Sequence, residues 1–497
     1  MRTGPNGAPG AEGLREDKAL PERDDKSGMG SVGLSFGSPT SGQGFDVTST
    51  VNQIVTNLQA VETPWKNQLT TLQSEDTALT SIGTDLSSLS TALQTLTDYQ
   101  GTFTGKEGSS SDNSVIALMN ATSAAVAGTH TVEVTQTAKT YSYASGDVGA
   151  SDTLSGTLTI GGQTIAISDG TAKNGDGTTI PQNNTLATLA SCINQGSYGV
   201  TANVVADGSS GSKLVLVSTT GGGGGKVTID SSALTDSTAS KAVGIAQAQQ
   251  GQDAVFSVDA VSMTSSSNTV TTAIPGVTMQ LLSAPAGNAV QVEITNNNSQ
   301  VESDIGAFVT AYNKVVGDLN TQEGNNSSGT AEPLYGNPTI AMLQEQLQQA
   351  AGFTQSSGAV STLAQLGITA STNYDGTLTL DTATLDSMLN SNYQDVANFF
   401  QANSSSYRSF GTNLTTTLNN LGSSGPNGTI YLALQQNAAQ ETALNKNISN
   451  QETLIGAQKT HLTTELNAAN FTLQEIPQQI EYVNEIYSAI TGYNQQH

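Results

Sequence analysis

The chain has 497 residues, 36% of them hydrophobic and 11% charged, with 51 Gly, ten Phe and one Trp. That length admits several domains of about 100–200 residues each, and polarity carried by Ser, Thr, Asn, Gln and Gly suits β-rich domains with many turns. A formal net charge of −25 with no basic cluster argues against nucleic acid and anionic membrane surfaces as partners.

The first 28 residues differ from the rest. Ten charged residues lie between Glu12 and Lys26, of 57 in the whole chain. Met29 then opens "MGSVGLSFGSPTSG", so residues 1–28 are expected to be a disordered extension upstream of a natural start at Met29, and residues 29–46 a flexible segment. From there the apolar residues Val51, Ile54, Leu58, Val61, Trp65, Leu69, Leu72, Leu79, Ile82, Leu86, Leu89, Leu93 and Leu96 are spaced by threes, fours and one seven. This heptad seam predicts an N-terminal coiled-coil helix over residues 47–100. Its 4,4 step at Val61–Trp65–Leu69 is a stutter, and Pro64 beside it predicts a kink or a restart. Asp46 or Thr48 would cap the start and Gly101 would end it. A continuous helix from Val47 to Tyr99 would be about 80 Å long, a rod and not a core helix.

Strand signals fill the middle. Residues 101–150 and 236–300 read as two parts of one β domain, with "THTVEVTQTA", "AVFSVDAVSM", "GVTMQLLSA" and "AVQVEIT" as strands. Residues 151–235 read as an inserted β-β-α-β-β domain. Its first hairpin turns at Gly161-Gly162, its helix runs from Thr185 to Asn194, and its second strand pair covers 200–207 and 213–218. Residues 301–420 form a mixed helical segment. Ile305, Phe308, Tyr312, Val315, Val316 and Leu319 share one helix face there, further helices are expected at 338–351 and 382–400, and "GTLTL" (376–380) is a strand.

The C-terminal stretch repeats the opening pattern. Leu444, Ile448, Gln451, Ile455, Gln458, Leu462, Leu466, Ala469, Leu473, Ile476, Ile480, Val483, Tyr487 and Ile490 form a second seam with its own 4,4 step at Gln458–Leu462–Leu466. It predicts a C-terminal coiled-coil helix within residues 421–497, starting after "SSGPNG". If the two seams pair antiparallel with their stutters level, facing residue numbers total about 527, Tyr99 lies opposite Gly428, and Val51 lies opposite Ile476. Cysteines placed at Leu86 and Thr442 would then crosslink. Pairing of each seam with other neighbours or other subunits is the alternative. The fold class is therefore α+β: a terminal coiled-coil helical stalk with inserted β-rich domains.

Motifs for chemistry are weak. "GLSFG" (Gly33 to Gly37) lacks the apolar strand and following helix of a nucleophile elbow. "GGGGGKVT" (Gly221 to Thr228) has Thr220 and Val227 where a phosphate-binding loop needs Gly and Ser/Thr, so a flexible hairpin tip is expected. Cys192 reads as a small buried side chain on a helix, and His130, His461 and His497 are scattered. No zinc spacing occurs. Asp169, Asp176 and Asp207 lie in Gly-rich loops without a calcium-ligand spacing. No catalytic residue, metal or cofactor is expected, and no run of eighteen apolar residues exists to cross a membrane.

"SGQGFDVTSTVNQIVTNLQAVETPWKNQL" resembles the N-terminal signature of the bacterial flagellar filament cap family, flagellar hook-associated protein 2, at Gly44, Asp46, Ile54, Val55, Leu58, Glu62, Pro64 and Leu69. The resemblance continues through "TLATLASCINQGSYGVTANVVADG", "DAVFSVDAVSMTSSSNTVTTAIPGVTMQLLSA", "IGAFVTAYNKVV" and "LAQLGITASTNYDGTLTLDTATLDSMLN", covering most of residues 31–400. Near the C-terminus the family's Phe and acidic-Met pair is replaced by "NAANFTLQEIPQQIEYVNEIYSAI", with Pro477 in the seam. The resemblance implies a non-enzymatic, extracellular protein at the flagellum tip, exported unfolded without a cleavable signal peptide. It implies a homo-oligomeric ring, a homopentamer, that shelters arriving flagellin and helps it fold and insert. Hook–filament junction proteins and an export chaperone are the further implied partners, with no nucleic acid and no membrane insertion. From the seam pattern, Ile54, Leu58, Val61, Trp65, Leu69, Leu72, Ile455, Leu462, Leu466, Leu473, Ile476 and Ile480 are the candidate subunit contacts. A surface adhesin or mucin-binding module, or another flagellar filament or junction protein, is the alternative.

Overall fold

A computed structural model describes residues 44–206, 208, 211–356, 358–401, 408–422 and 425–492. The expectations for residues 1–43, the GLSFG stretch included, and for Asp207 and His497 lie outside them. Eight α-helices are described: α1 (Val47–Gln59), α2 (Thr63–Thr97), α3 (Leu186–Gln195), α4 (Asn298–Gln322), α5 (Pro338–Ala351), α6 (Thr382–Gln401), α7 (Phe410–Leu421) and α8 (Thr429–Thr491). The chain forms two compact units. One comprises the described residues up to Ser81 together with those from Ile430, and the other runs from Ile82 to Thr429.

In the terminal unit, Asp46 caps α1. Its carboxylate accepts the Ser49 N–H at 3.0 Å, satisfying a donor that the first helical turn leaves open. A 3-10 turn at Ala60–Glu62 then interrupts the helix before α2. Pro64 accounts for it: proline has no N–H to give the Ala60 carbonyl, which takes the Thr63 N–H instead. The restart expected at Pro64 is therefore present, and α8 begins one residue past the expected Gly428.

The larger unit has three cores. In its helical part, Ile82, Leu86, Leu89, Leu93 and Leu96 form the buried face of α2, and Ile305, Phe308, Tyr312, Val315, Val316 and Leu319 that of α4, as the period of 3.6 requires. Phe399 and Phe410 stack at 5.0 Å, and Phe308 meets Phe410 edge-on at 6.0 Å. α6 is kinked at Asn392. A short hairpin, Ile368–Ala370 with Leu378–Leu380, lies against α4.

The second core lies between a five-stranded antiparallel sheet, ordered Lys106–Ser110, Ala289–Asn296, Gly128–Gln136, Ala254–Val258 and Val261–Ser265, and a three-stranded one of Thr269–Val270, Val277–Leu281 and Ile116–Ala121. Val132, Val134, Phe256, Met279, Val290 and Val292 fill it, each from the inward side of an alternating strand. The third core belongs to the inserted module, where α3 packs Leu189 and Ile193 against Leu158, Ile160, Leu214 and Leu216. Its β-β-α-β-β segment follows the expected order, with Gly161 and Gly162 both at positive φ in the hairpin turn.

Three expectations need correction here. The strands Ser142–Ser145 and Ile245–Gln249, read from sequence as parts of the flanking domain, pair with the inserted module's sheet. The crossing point is a bridge between Lys139 and Gln252. A contiguous reading of the chain misses it because the strands on either side share the same alternation. The five glycines are not a hairpin tip either. Gly223–Gly225 makes a 3-10 turn, the Gly223 N–H donates to the Asp253 carboxylate at 2.7 Å, and a Cβ on Gly225 would run into the Thr220 carbonyl. Backbone here approaches backbone too closely for any other residue. Cys192, expected buried, is only partly so, packed at the margin of the module core.

With few charges available, this unit ties its elements together through asparagine amides. Asn313 on α4 donates Nδ2–H to the Leu378 carbonyl at 2.8 Å and accepts the Leu378 N–H at 2.7 Å. Asn268 does the same to Ala138, and Asn194 to Ala202. A primary amide carries a donor and an acceptor in the geometry of a peptide group, so each side chain substitutes for one residue of a neighbouring strand.

Candidate assembly interface on the terminal helices

Within the terminal unit, α1 and the first half of α2 run antiparallel to α8, and polar contacts fix their register. The Phe45 N–H donates to Asn470 Oδ1 at 2.8 Å. Gly44, at φ +64, adopts a backbone conformation that other residues take only with strain, and a side chain there would also have to displace the Asn470 amide. Lys66 bridges Glu62 at 2.7 Å and Glu452 at 3.6 Å. Asn437 donates Nδ2–H to Asp76 at 2.8 Å and to Glu75 at 3.4 Å. Facing residue numbers in these pairs total 512 to 518, so the seams pair antiparallel as expected but not in the expected register. The stutters are not level and Val51 does not face Ile476. A stutter relaxes by local unwinding within its own helix, so it imposes nothing on its partner; a buried polar side chain does.

The buried residues of this pair are Val47, Val51, Leu72, Leu79, Ile430, Leu444, Ile448 and Ile455, with Glu62 and Asn437 as the buried polar ones. Glu62 is 1% exposed, and its carboxylate, with that of Glu452, holds the Lys66 ammonium above its ordinary pKa. Burial pushes the Glu75 carboxyl up, an effect that the Asn437 amide opposes.

The candidate contacts divide three ways. Leu72 and Ile455 are buried inside the intrachain pair. Ile54, Leu58, Trp65, Leu69, Leu462, Leu466, Leu473 and Ile476 are half-buried, and Val61 and Ile480 are exposed. Sequence reasoning missed Lys66, Glu452, Asn437 and Asn470, and named Glu62 only as part of the family signature. Asn437 carried a signal: it lies one heptad after Ile430 and one before Leu444, a polar residue on the seam.

A groove of about 700 Å³ lies in the other unit between α4, the end of α5 and the 368–380 hairpin. Tyr312 and Tyr374 are its only titratable lining residues, and burial pushes Tyr312 up to about 12. Asp169 and Asp176 each accept from their own turn, at Thr171 and Thr178. No group of three or more His, Cys, Asp and Glu is arranged to hold a metal, and no helix is long and apolar enough to cross a membrane, both among the described residues.

Paired terminal helices, with β-rich modules inserted between them along the chain, define an α+β protein with helical termini and a β-rich middle. Two family profiles match in order: the N-terminal part of flagellar hook-associated protein 2 over residues 43–141 and its C-terminal part over residues 251–480. The chain belongs to the flagellar hook-associated protein 2 family. It is 30% identical over 322 residues to the B-type flagellar hook-associated protein 2 of Pseudomonas aeruginosa PAO1 and 28% identical over 325 residues to the A-type protein of that species, covering 59% of this chain in both cases. The match spans 65% of the length of each of these relatives. Among solved structures, the three-domain flagellar cap protein of Escherichia coli aligns at 23% identity over 73% of this chain and 99% of its own, with a TM-score of 0.48. The stretch between the two profiles, 142–250, is the inserted module bounded by the Lys139–Gln252 bridge.

Proposed function

We propose that this chain is the flagellar filament cap: an oligomeric ring at the filament tip that promotes folding and insertion of exported flagellin and prevents its loss to the medium. The observation that carries this reading is the ordered match of both family profiles, which include the paired terminal helices and the β domain split around the inserted module. The ring is a homopentamer built through the terminal seam, with Ile54, Leu58, Val61, Trp65, Leu69, Leu72, Ile455, Leu462, Leu466, Leu473, Ile476 and Ile480 as its contact set. Leu72 and Ile455 serve it indirectly, by holding the intrachain pair together. Flagellin, the hook–filament junction proteins and an export chaperone are its partners. The thin charge and Thr/Asn-rich surface of the β modules suit a solvated plate against which incoming chains fold. Deleting the gene tests the reading: flagellin should accumulate in the medium with no filament built. Normal filaments on the deletion strain would refute it.

A further inference from the structure

The short hairpin against α4 has one closed edge and one open one. Ile368–Ala370 and Leu378–Leu380 pair antiparallel, with Ala370 opposite Leu378. The Ser371 N–H donates to the Thr377 carbonyl at 2.8 Å, and the Asp381 N–H to the Gly367 carbonyl at 2.9 Å. In this alternation Ala370 and Leu378 are a pair whose own N–H and C=O groups point outward, on opposite sides. Those of Leu378 are taken by Asn313. Those of Ala370 have no partner among the described residues, and Ala370 is exposed. The open edge borders the groove of about 700 Å³, which all five residues from Ile368 to Thr372 line. Successive residues of a strand point to opposite faces, so a groove that touches all five runs along the edge and not over one face.

We propose that this edge is a peptide-binding site, where an extended, uncharged segment of an unfolded polypeptide adds as a third strand beside Ala370; this rests on and deepens the cap reading above, in which flagellin arrives before it has folded. Three observations select that occupant. An open strand edge offers main-chain bonds to any extended backbone whose own groups are still unpaired, which an unfolded chain supplies and a folded one does not. Next, the groove has the size of a ligand site, about 300–1,000 Å³, and Phe353, Leu363 and Ala364 line it, yet none of its lining residues carries a charge in a chain of net charge −25. An apolar or hydroxyl-bearing segment enters it without stripping water from an ion, while a charged one finds no counter-charge. Finally, Tyr374 stands on the rim, 97% exposed and at φ +57. A bulky residue in the left-handed region is strained, and such strain collects at ligand clamps; an open tyrosine ring gives a bound segment a large contact surface.

The test titrates the full chain against a fluorescently labelled hexapeptide of alternating threonine and valine, read by anisotropy. Binding should saturate at one peptide per chain. Ala370→Pro removes the outward N–H without costing a bond inside the hairpin, and should raise the dissociation constant at least tenfold with an unchanged thermal melt. Ala364→Trp, which fills the groove from an exposed position, should do the same and stands in if the proline variant does not fold. The same hexapeptide N-methylated throughout keeps its side chains, loses its donors and should not bind. Equal binding of the methylated peptide, or unaltered binding by either folded variant, would overturn the proposal. So would a full chain that binds no peptide. If its sedimentation mass then falls on Ala370→Pro, the occupant is a second copy; if not, the chain covers the edge for itself. Peptide binding that stands while the deletion strain builds normal filaments removes the cap reading and leaves the site. Absence of binding in a protein whose deletion abolishes filaments removes the site and leaves the cap.

Discussion

Replacing Asn313 probes the amide ties directly. Its side chain is the link between α4 and the Leu378 backbone, making two hydrogen bonds of 2.8 and 2.7 Å. Each such bond contributes about 1 kcal/mol net, and stranding a buried backbone group costs about 1–3 kcal/mol. Leu378 is half-buried, so water recovers part of that penalty, and Asn313→Ala is expected to cost about 2 kcal/mol. Asn313→Asp separates the donor from the acceptor. An introduced carboxylate still accepts the Leu378 N–H but sets a negative oxygen against the Leu378 carbonyl, so at neutral pH it should be at least as damaging as alanine. Protonation restores a donor, so the introduced carboxyl has its pKa raised in the folded state. Stability it contributes is present at low pH and lost as pH rises through that raised value. The assay is denaturant unfolding of both variants between pH 4 and 8, with hydrogen exchange at the Leu378 amide as the local readout. An alanine variant within about 0.5 kcal/mol of the parent, or an aspartate variant without pH dependence relative to alanine, would refute the reasoning.

Phe410→Ala removes a fully buried ring stacked on Phe399 and should destabilise the larger unit by about 3–5 kcal/mol, read as a lowered unfolding midpoint with the terminal helices unaffected in exchange protection. Gly225→Ala forces a methyl into the Thr220 carbonyl and is expected to cost about 1–3 kcal/mol, whereas the same change at Gly224, where nothing lies within 4 Å, should be nearly silent in a thermal melt. The hairpin turn at Asp259-Ala260, both at positive φ, is held by Asp259 Oδ2 against His130 Nδ1 at 2.8 Å and by the Thr131 N–H at 2.9 Å. Those bonds hold the Asp259 carboxyl below its ordinary value of 3.8, His130 first. The contribution is therefore complete above that value and lost as pH falls through the lower folded one, and exchange at the Val258–Val261 turn should accelerate only below about pH 4.

Helix positions were legible because their signals are local. The α5 start at Asn337-Pro338, the buried stripe of α4 and the break before Pro64 all follow from caps, period and the missing proline N–H. What stayed hidden depends on residues distant in sequence. The register of α8 on α1 and α2 is set by Asn437, Lys66 and Asn470, whose types alone do not announce a partner 350 or more residues away. The Asn313, Asn268 and Asn194 amides look like ordinary surface polarity until the strand they complete is in place. Gly221 to Gly225 read as slack because glycine permits both freedom and tight approach, and only the neighbouring Thr220, Asp253 and Ser266 decide which. Of the candidate contacts, the seam pattern could not say that Leu72 and Ile455 are the ones the chain buries for itself.

The bridge at Lys139 and Gln252 has a genetic consequence. Because the chain leaves for the inserted module and returns at directly facing residues, a cut-and-join there removes a whole folded body and leaves two strand ends already side by side. A replacement segment needs only neighbouring termini to be accepted. The family profiles stop at 141 and resume at 251, at the same doorway. Surface variation can thus be swapped as a cassette while the frame that holds it keeps its sequence.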